Sequence, residues 1–509
     1  LDRISKITKQ QIVDFANSHF KDNYIAVYKR IGEDKSIKKI DKPQITAIPA
    51  NRDLQSKFVT DIINSKTESI QPKFVDFNKD LTKSEIKKGL PVLYVKNTEN
   101  GRFALNYYYK FGETSDKWLP YAAEYFKYLG TDKMTAEQLK QKFYELACSY
   151  YINVGSRAMS VSISGLAENM PEAMKLMEDF IANAKVDKDA YEKYVDIVEK
   201  SRADNKLNQR VNFSRLQYYG MYGKYNSALN SPSTAELKEM DPQKLVDMIK
   251  DLKNYKHSVL YYGPMDLKEF TAIVKKEHKT AKKLADVPQN KPYKMQQTTQ
   301  NEVYIAPYDA KNIYMIQYHN DGKTWNAEQE PIAALFNEYY GGGMNSIVFQ
   351  ELREARGLAY SAFAMYGTPG YKDDTEYAYT YIISQNDKMM DCINTFNSIL
   401  NTMPKSEKAF ELSKQALMKR LATSRTTKFS IINAYLNAED LGIDYDINKK
   451  IYEAVPSMTM DDVAKFEKEH MANKPYRYMI LGDEKQLDMK ALEKIGPVKR
   501  LTTEEIFGY

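Results

Sequence analysis

Cysteine is nearly missing from this chain: two in 509 residues, Cys148 and Cys392. So far apart, they make no disulfide framework and no C-x-x-C metal or redox pair, and free buried thiols are expected. That suits a cytoplasmic protein and is tolerated in a periplasm, so the compartment stays open, with the bacterial periplasm slightly favoured. Histidine is almost as scarce. His19, His257, His278, His319 and His470 are scattered, with no pair at helical spacing. Three of them, His19, His257 and His470, fall at helix-to-strand turns, where they read as helix-end or surface residues rather than ligands. No apolar run approaches the roughly 20 residues that cross a bilayer. There is no G-x-S-x-G elbow, and Gly341, Gly342 and Gly343 lack the lysine and spacing of a phosphate-binding loop. The net charge of +6 is spread along the chain and forms no basic stripe with interleaved aromatics, despite 40 tyrosines, which sets nucleic acid aside as a partner. No signal peptide is visible, and the chain opens at Leu1 without a methionine, so a natural start further upstream is expected.

What is present is an ordinary globular composition, 43% hydrophobic and 28% charged, whose length predicts two to four domains. One pattern occurs three times: a polar cap, an amphipathic helix, a charged turn, an apolar strand and a glycine. The copies end at Gly32, Gly263 and Gly482, with Thr8, Asp241 and Thr459 at the cap position. Gln11 completes a capping box in the first copy, and Pro242 opens the helix of the second. The glycine spacing implies a unit of more than two hundred residues, so the first copy reads as the last piece of a unit lying upstream.

Ahead of each later copy the chain repeats a second design. Residues 87–112 and 301–319 each read as a strand hairpin, followed by an apolar helix, a glycine, a second helix, and then a strand leading into a further helix. The expected fold class is α+β, with two homologous repeat domains, each an antiparallel sheet covered on one face by helices. The expected boundaries are a remnant over residues 1–33, a hinge or linker over 34–84, a first domain over 85–275, a linker over 276–299, a second domain over 300–492, and a tail over 493–509.

The most informative stretch is 341–361, GGGMNSIVFQELREARGLAYS. Val348, Phe349 and Leu352 fall at helical spacing and would bury one face, with Arg353 and Arg356 on the exposed side before a turn at Gly357. An arginine and a tyrosine seven residues apart, Arg353 and Tyr360, bracket the helix end and can point into one cavity. Together they offer a forked donor and a stiff hydroxyl. The plainer reading of the same residues is a solvated helix face and a core tyrosine.

This stretch resembles the C-terminal repeat of the pitrilysin/insulysin family of zinc peptidases, where glycines precede a helix of the form xFxELRExxGLAYS. The resemblance implies that Arg353 and Tyr360 hold the substrate backbone from the half of the molecule without metal, and that Gly341, Gly342 and Gly343 abut the substrate chamber. It extends over most of the chain and implies half of a clamshell, joined to its N-terminal catalytic half by the hinge. The family places an inverted H-x-x-E-H on the first helix after the hairpin, two histidines on one helical face with a glutamate to polarise a zinc-bound water. Aligned through Gly130 and Thr131, that motif falls on residues 121–125, which read Y-A-A-E-Y. Tyr121 and Tyr125 replace both histidines, and only Glu124 survives. The third ligand of the family is a distal glutamate, for which Glu199 is the nearest counterpart. No zinc is expected in this chain; it is expected in the upstream half.

The resulting expectation is the non-metal-binding C-terminal half of a zinc metalloendopeptidase, inactive alone, with no catalytic residue of its own. Its expected partners are peptide substrates and the N-terminal half of the same polypeptide. The alternative is a catalytically inactive peptidase-like scaffold or partner subunit.

Overall fold

A computed structural model describes residues 3–32, 34–38, 40–41, 46, 54–66, 68 and 70–509. Residues 1–46 and 47–509 form separate compact units. In the first, Thr8 caps the helix Lys9–His19 in a reciprocal box with Gln11, as the cap pattern predicts. The strand expected after it is not there: residues 20–32 carry none. Strand backbone needs a neighbour for its N–H and C=O groups, and here Tyr24, Ile25, Val27 and Tyr28 stand exposed. Part of the expected linker, including residues 47–53, lies outside the described residues. Its helix-like middle forms Lys57–Ile63, capped by Ser56.

The second unit contains two six-stranded sheets. The first is built from β1 (Thr82–Lys87), β2 (Leu90–Lys96), β3 (Arg102–Tyr109), β4 (Cys148–Val154), β5 (Met159–Leu166) and β6 (Ser258–Gly263). The second uses β7 (Glu302–Pro307), β8 (Asn312–His319), β9 (Ala359–Gly367), β10 (Tyr377–Gln385), β11 (Arg477–Gly482) and β12 (Val498–Arg500). Their orders, β1-β2-β6-β3-β5-β4 and β12-β7-β11-β8-β10-β9, correspond in five places; the outer strands differ, since β1 precedes β2 and runs antiparallel to it, whereas β12 comes last and runs parallel to β7. The fold is α+β, with mixed sheets: most neighbours are antiparallel, while β2 with β6, β7 with β11, and β7 with β12 run parallel.

The expected hairpins are corrected by this order. β6 lies between β2 and β3, and β11 between β7 and β8. The physical reason is burial: β6 is apolar along nearly its whole length and β11 is buried at every residue, so each belongs at a sheet centre rather than an edge. β3, by contrast, alternates buried and half-buried side chains, as a strand with one core face does.

One face of each sheet carries its own helical layer, built on Phe126, Phe180 and Phe270 in the first core and on Phe336, Phe396 and Phe466 in the second. The opposite faces are covered reciprocally. Leu93, Val95 and Leu260 of the first sheet pack on Ile432 and Leu436 of the helix Ser430–Leu441, which follows the second sheet's β10 in sequence. Ile316, Met479 and Leu481 of the second sheet pack on Phe213 and Leu216 of the helix Gln209–Tyr222, which precedes β6. Arg157 from the β4–β5 turn pairs with Asp374 and lies 4.1 Å from the Tyr371 ring, linking the same two parts. Segments assigned to linker and tail are packed as well. Val75 and Phe77 lie against Ala438, β12 adds to the second sheet, and Ile506 and Phe507 are fully buried.

One carboxylate in the second core has no compensation. Glu467 is buried with Oε1 unpaired, and burial pushes its pKa up to about 7. The folded value lies above the unfolded one, so the folded protein holds a proton that the unfolded chain releases. Stability therefore falls as the pH rises from the ordinary carboxylate range through about 7. Glu467→Gln is expected to raise the melting temperature at about pH 8 and to remove about 2 kcal/mol of this pH dependence. Parallel melting curves for variant and parent across that range would refute it.

Candidate substrate-binding site

The helix Glu330–Tyr340 ends at Gly341, where a Cβ would lie 1.9 Å from the Ala364 carbonyl oxygen of β9. Only glycine lets the helix end approach the strand so closely. A Cβ on Gly342 would lie 2.7 Å from Asn337 O, whereas Gly343 faces open space. Ser346 then caps a short α-helix, Ile347–Phe349, which widens into a π-helical turn at Gln350–Glu354. The wider turn is closed by Ala355 N–H donating to Gln350 O at 2.8 Å. Ile347, Val348 and Leu352 are fully buried; Phe349, expected in the core, is half-buried. Wide turns of this kind rotate the following side chains relative to a regular helix, and Arg353 lies within this one.

Gly357, at φ +56°, reverses the chain into β9. There the pairing with β10 slips: Ser361 lies opposite Ile383 and Ala359 opposite Ser384, leaving Tyr360 without an opposite residue. Tyr360 is thus the extra residue of a β-bulge, a device that re-aims a side chain. The matching edge of the first sheet, β4 against β5, runs without a shift. Tyr360 is 79% exposed, which corrects the plainer expectation of a core tyrosine.

The structure brings Arg353 and Tyr360 together. The guanidinium carbon lies 5.7 Å from the Tyr360 ring centre and 4.8 Å from that of Phe349, within reach of cation–π attraction. Its nearest carboxylate contact is Glu354, with Nε 3.8 Å from Oε1. Among the described residues neither the guanidinium nor the Tyr360 hydroxyl has a hydrogen-bond partner. Arg356, expected beside Arg353, turns to Glu351 at 3.5 Å. Phe349 is the site residue that sequence reasoning assigned to the core; its signal was present in the motif, but only the wide turn shows that its ring supports Arg353.

Tyr121, Glu124 and Tyr125 lie on the helix Leu119–Phe126, and their surroundings do not fit zinc. The Tyr125 hydroxyl donates to Asp187 O at 2.6 Å and accepts from Asp187 N–H at 3.0 Å. Glu124 turns outward to Lys127 at 2.6 Å, and Glu199 pairs with Lys238 at 2.7 Å. The buried Arg202 guanidinium donates to the Tyr121 hydroxyl at 3.2 Å and to Pro232 O at 2.6 Å. A fixed positive charge thus stands where a cation would need donors. Among the described residues no group of three or more His, Cys, Asp or Glu could hold a metal ion. Restoring the letters alone is therefore expected to fail: Tyr121→His with Tyr125→His should bind no stoichiometric zinc by elemental analysis. One tightly held zinc per chain would overturn this account of the site.

Of the three histidines placed at turns, His19 and His470 end helices as expected, whereas His257 lies past a helix end and is buried. His19 is a helix-end residue, its Nδ1 2.9 Å from Phe15 O. His257, His319 and His470 are buried. His257 and His278, far apart in sequence, meet at 2.8 Å, because β6 and the helix Leu267–Glu277 run out and back between them. No sequence spacing signals this.

Residues 240–417 match the family model of the peptidase M16 inactive domain. A search of curated proteins finds no match. Among solved structures, the peptidase M16 inactive domain from Pseudomonas fluorescens is similar at 14% identity and TM-score 0.61, covering 79% of this chain and 98% of that one. The periplasmic protease PqqL from Escherichia coli is similar at 13% identity and TM-score 0.62, over 94% of this chain and 51% of that one. The ferredoxin protease FusC, in complex with Arabidopsis ferredoxin, is similar at 12% identity and TM-score 0.63, again over 94% and 51%. The chain thus spans about half the length of these two proteases. Among the described residues no helix is long and apolar enough to cross a membrane. The match over residues 240–417 and the shared fold thus make the chain similar to M16-like peptidases, and to their inactive domain over that segment.

Proposed function

We infer that this chain serves as the substrate-holding half of a zinc metalloendopeptidase that encloses peptides. In this reading residues 85–275 and 300–492 are two peptidase-like domains, residues 34–84 are the hinge, and residues 1–33 end the upstream half that carries the zinc. The observation that carries the reading is the pairing of Arg353 and Tyr360, both exposed and with donors unused among the described residues. A guanidinium and a phenol so placed suit peptide carbonyls, or an oxyanion forming on one. Buried structural residues would have satisfied those donors internally.

The substrate class in this reading is an unfolded peptide or protein segment. The protein-bound state of FusC supports it, and the periplasmic setting of PqqL supports the same compartment here. An inactive scaffold also accommodates the loss of both histidines, but it has no use for an exposed Arg–Tyr pair. The test is peptide hydrolysis by the complete enzyme carrying Arg353→Ala. Full activity in that variant removes the reading.

A further inference from the structure

Behind β3 lies a buried polar chain that peptide holding does not use. Oε1 of Glu178, on the helix Met170–Asn183, is 2.6 Å from Nδ1 of His278. Nε2 of His278 is 2.8 Å from Nε2 of His257, and Nδ1 of His257 is 2.8 Å from the backbone oxygen of Tyr255. Tyr107 stacks on His278 with ring centres 3.8 Å apart, and Tyr109 on His257 at 4.6 Å. The side chain of His278 is 4% exposed and that of Glu178 14%.

Counting protons along this chain gives a definite result. Three contacts between heavy atoms need three protons. The ends supply none, because the Tyr255 carbonyl and a Glu178 carboxylate only accept. Two neutral imidazoles carry one ring proton each, which leaves the chain one short. Without a further proton, two acceptors face each other in a buried setting, where an unmet hydrogen bond is costly. With it, carboxylate and imidazolium balance. The positive charge belongs on His278, whose Nδ1 meets the Glu178 carboxylate, rather than on His257, whose Nδ1 meets only a backbone carbonyl and whose pKa burial pushes down.

We propose that Glu178, His278 and His257 form a buried proton-binding site, with His278 held as an imidazolium between the Glu178 carboxylate and a neutral His257. The bound proton locks the end of the helix Leu267–Glu277 to the first sheet. From β1, Lys87 faces the site and donates to Thr280 Oγ1 and Ala281 O, each at 2.6 Å. Lys275 and Lys279 line a cavity of about 420 Å³ that opens on His278, and Lys279 N–H donates to Glu178 Oε2 at 3.3 Å. Glu277 pairs with Lys276 at 3.2 Å. From β3, Tyr107 and Tyr109 have phenols kept protonated, chiefly by burial and also by the Glu178 charge. The three lysines oppose any positive charge here, and among the described residues Glu178 is the carboxylate whose direct contact with His278 offsets them. The locked segment, residues 278–285, begins the connection to the second sheet and bridges back from Ala285 to Tyr255.

The test uses the full chain. Ring-nitrogen NMR at about pH 7.5, where free histidine is neutral, should show both nitrogens of His278 protonated and one of His257. Glu178→Gln supplies an amide N–H that can donate to Nδ1 of His278, so neutral rings satisfy all three contacts. In that variant His278 should carry one ring proton with the fold kept. Hydrogen exchange over residues 278–285 reads the consequence. Above about pH 7 the opening constant, corrected for intrinsic exchange, should rise about tenfold per pH unit in the parent, until the closed form itself loses the proton. It should stay flat in Glu178→Gln. A singly protonated His278 in the parent, or equal slopes in the two proteins, would overturn the proposal. Should the variant fail to fold, the NMR of the parent decides alone.

Discussion

Arg353→Ala in the complete enzyme is expected to lower kcat/KM for an unfolded peptide by about 10²–10³-fold, the usual loss when one donor to a developing oxyanion is removed. Zinc content and melting temperature should stay at parental values, because the side chain is exposed and its closest ion-pair contact is Glu354 at 3.8 Å. The division of the loss is informative. A guanidinium that grips a carbonyl already in the bound substrate raises KM, whereas one that meets only the developing oxyanion lowers kcat with little change in KM. Lysine at this position should recover only part of the rate. It keeps the charge but loses the flat fork that lies 4.8 Å from the Phe349 ring and 5.7 Å from that of Tyr360. Hydrolysis unchanged in Arg353→Ala would mean that the exposed pair does not meet substrate.

Arg477→Ala should be the most damaging single change to stability, costing about 3–5 kcal/mol. The side chain is 7% exposed, with Nε donating to Glu302 Oε2 at 2.9 Å. Its Nη1 donates to Gly220 O at 2.6 Å and to Gln296 Oε1 at 3.1 Å, and its guanidinium lies 4.9 Å from the Tyr304 ring. One residue of β11 thus ties the second sheet to the helix Gln209–Tyr222 and to the segment joining the two sheets. Removing it leaves the Glu302 charge in a largely buried place with its partner gone, and Gly220 O without its donor. Arg477→Met with Glu302→Gln should be less destabilised than Arg477→Ala, since it removes both charges and keeps the volume. Thermal melts of the two proteins decide it; a single variant that melts with the parent would contradict this account of how the sheets are joined.

The α+β class and most elements were legible because they are local. Alternation marks β3 and β5, capping residues mark helix starts, and the ELREARGLAYS run carries the resemblance to M16-like peptidases. Sheet order was not legible. Strands consecutive in sequence were taken as hairpins, whereas β6 and β11 arrive from more than a hundred residues away and insert, driven by burial on both faces. The reciprocal covering of the sheets by Ile432 and Leu436, and by Phe213 and Leu216, is long-range packing with no period of its own.

Within the site, residue types were readable but their aim was not. The π-turn at Arg353 and the bulge at Tyr360 each change a register by one residue, and the sequence around them reads the same either way. The expectation of no zinc here rested on Tyr121 and Tyr125, which stand where the resembling family has histidines. The charge that excludes a cation there comes from Arg202, which meets Tyr121 only in the fold. Glu178, His257 and His278 were invisible as a group for the same reason.

The most direct measurement is the size and zinc content of the protein as its native gene makes it. The account predicts one polypeptide about twice this chain's 509 residues, holding one zinc that remains bound in Arg353→Ala. A native protein that binds no zinc, alone or with a partner chain, would contradict it.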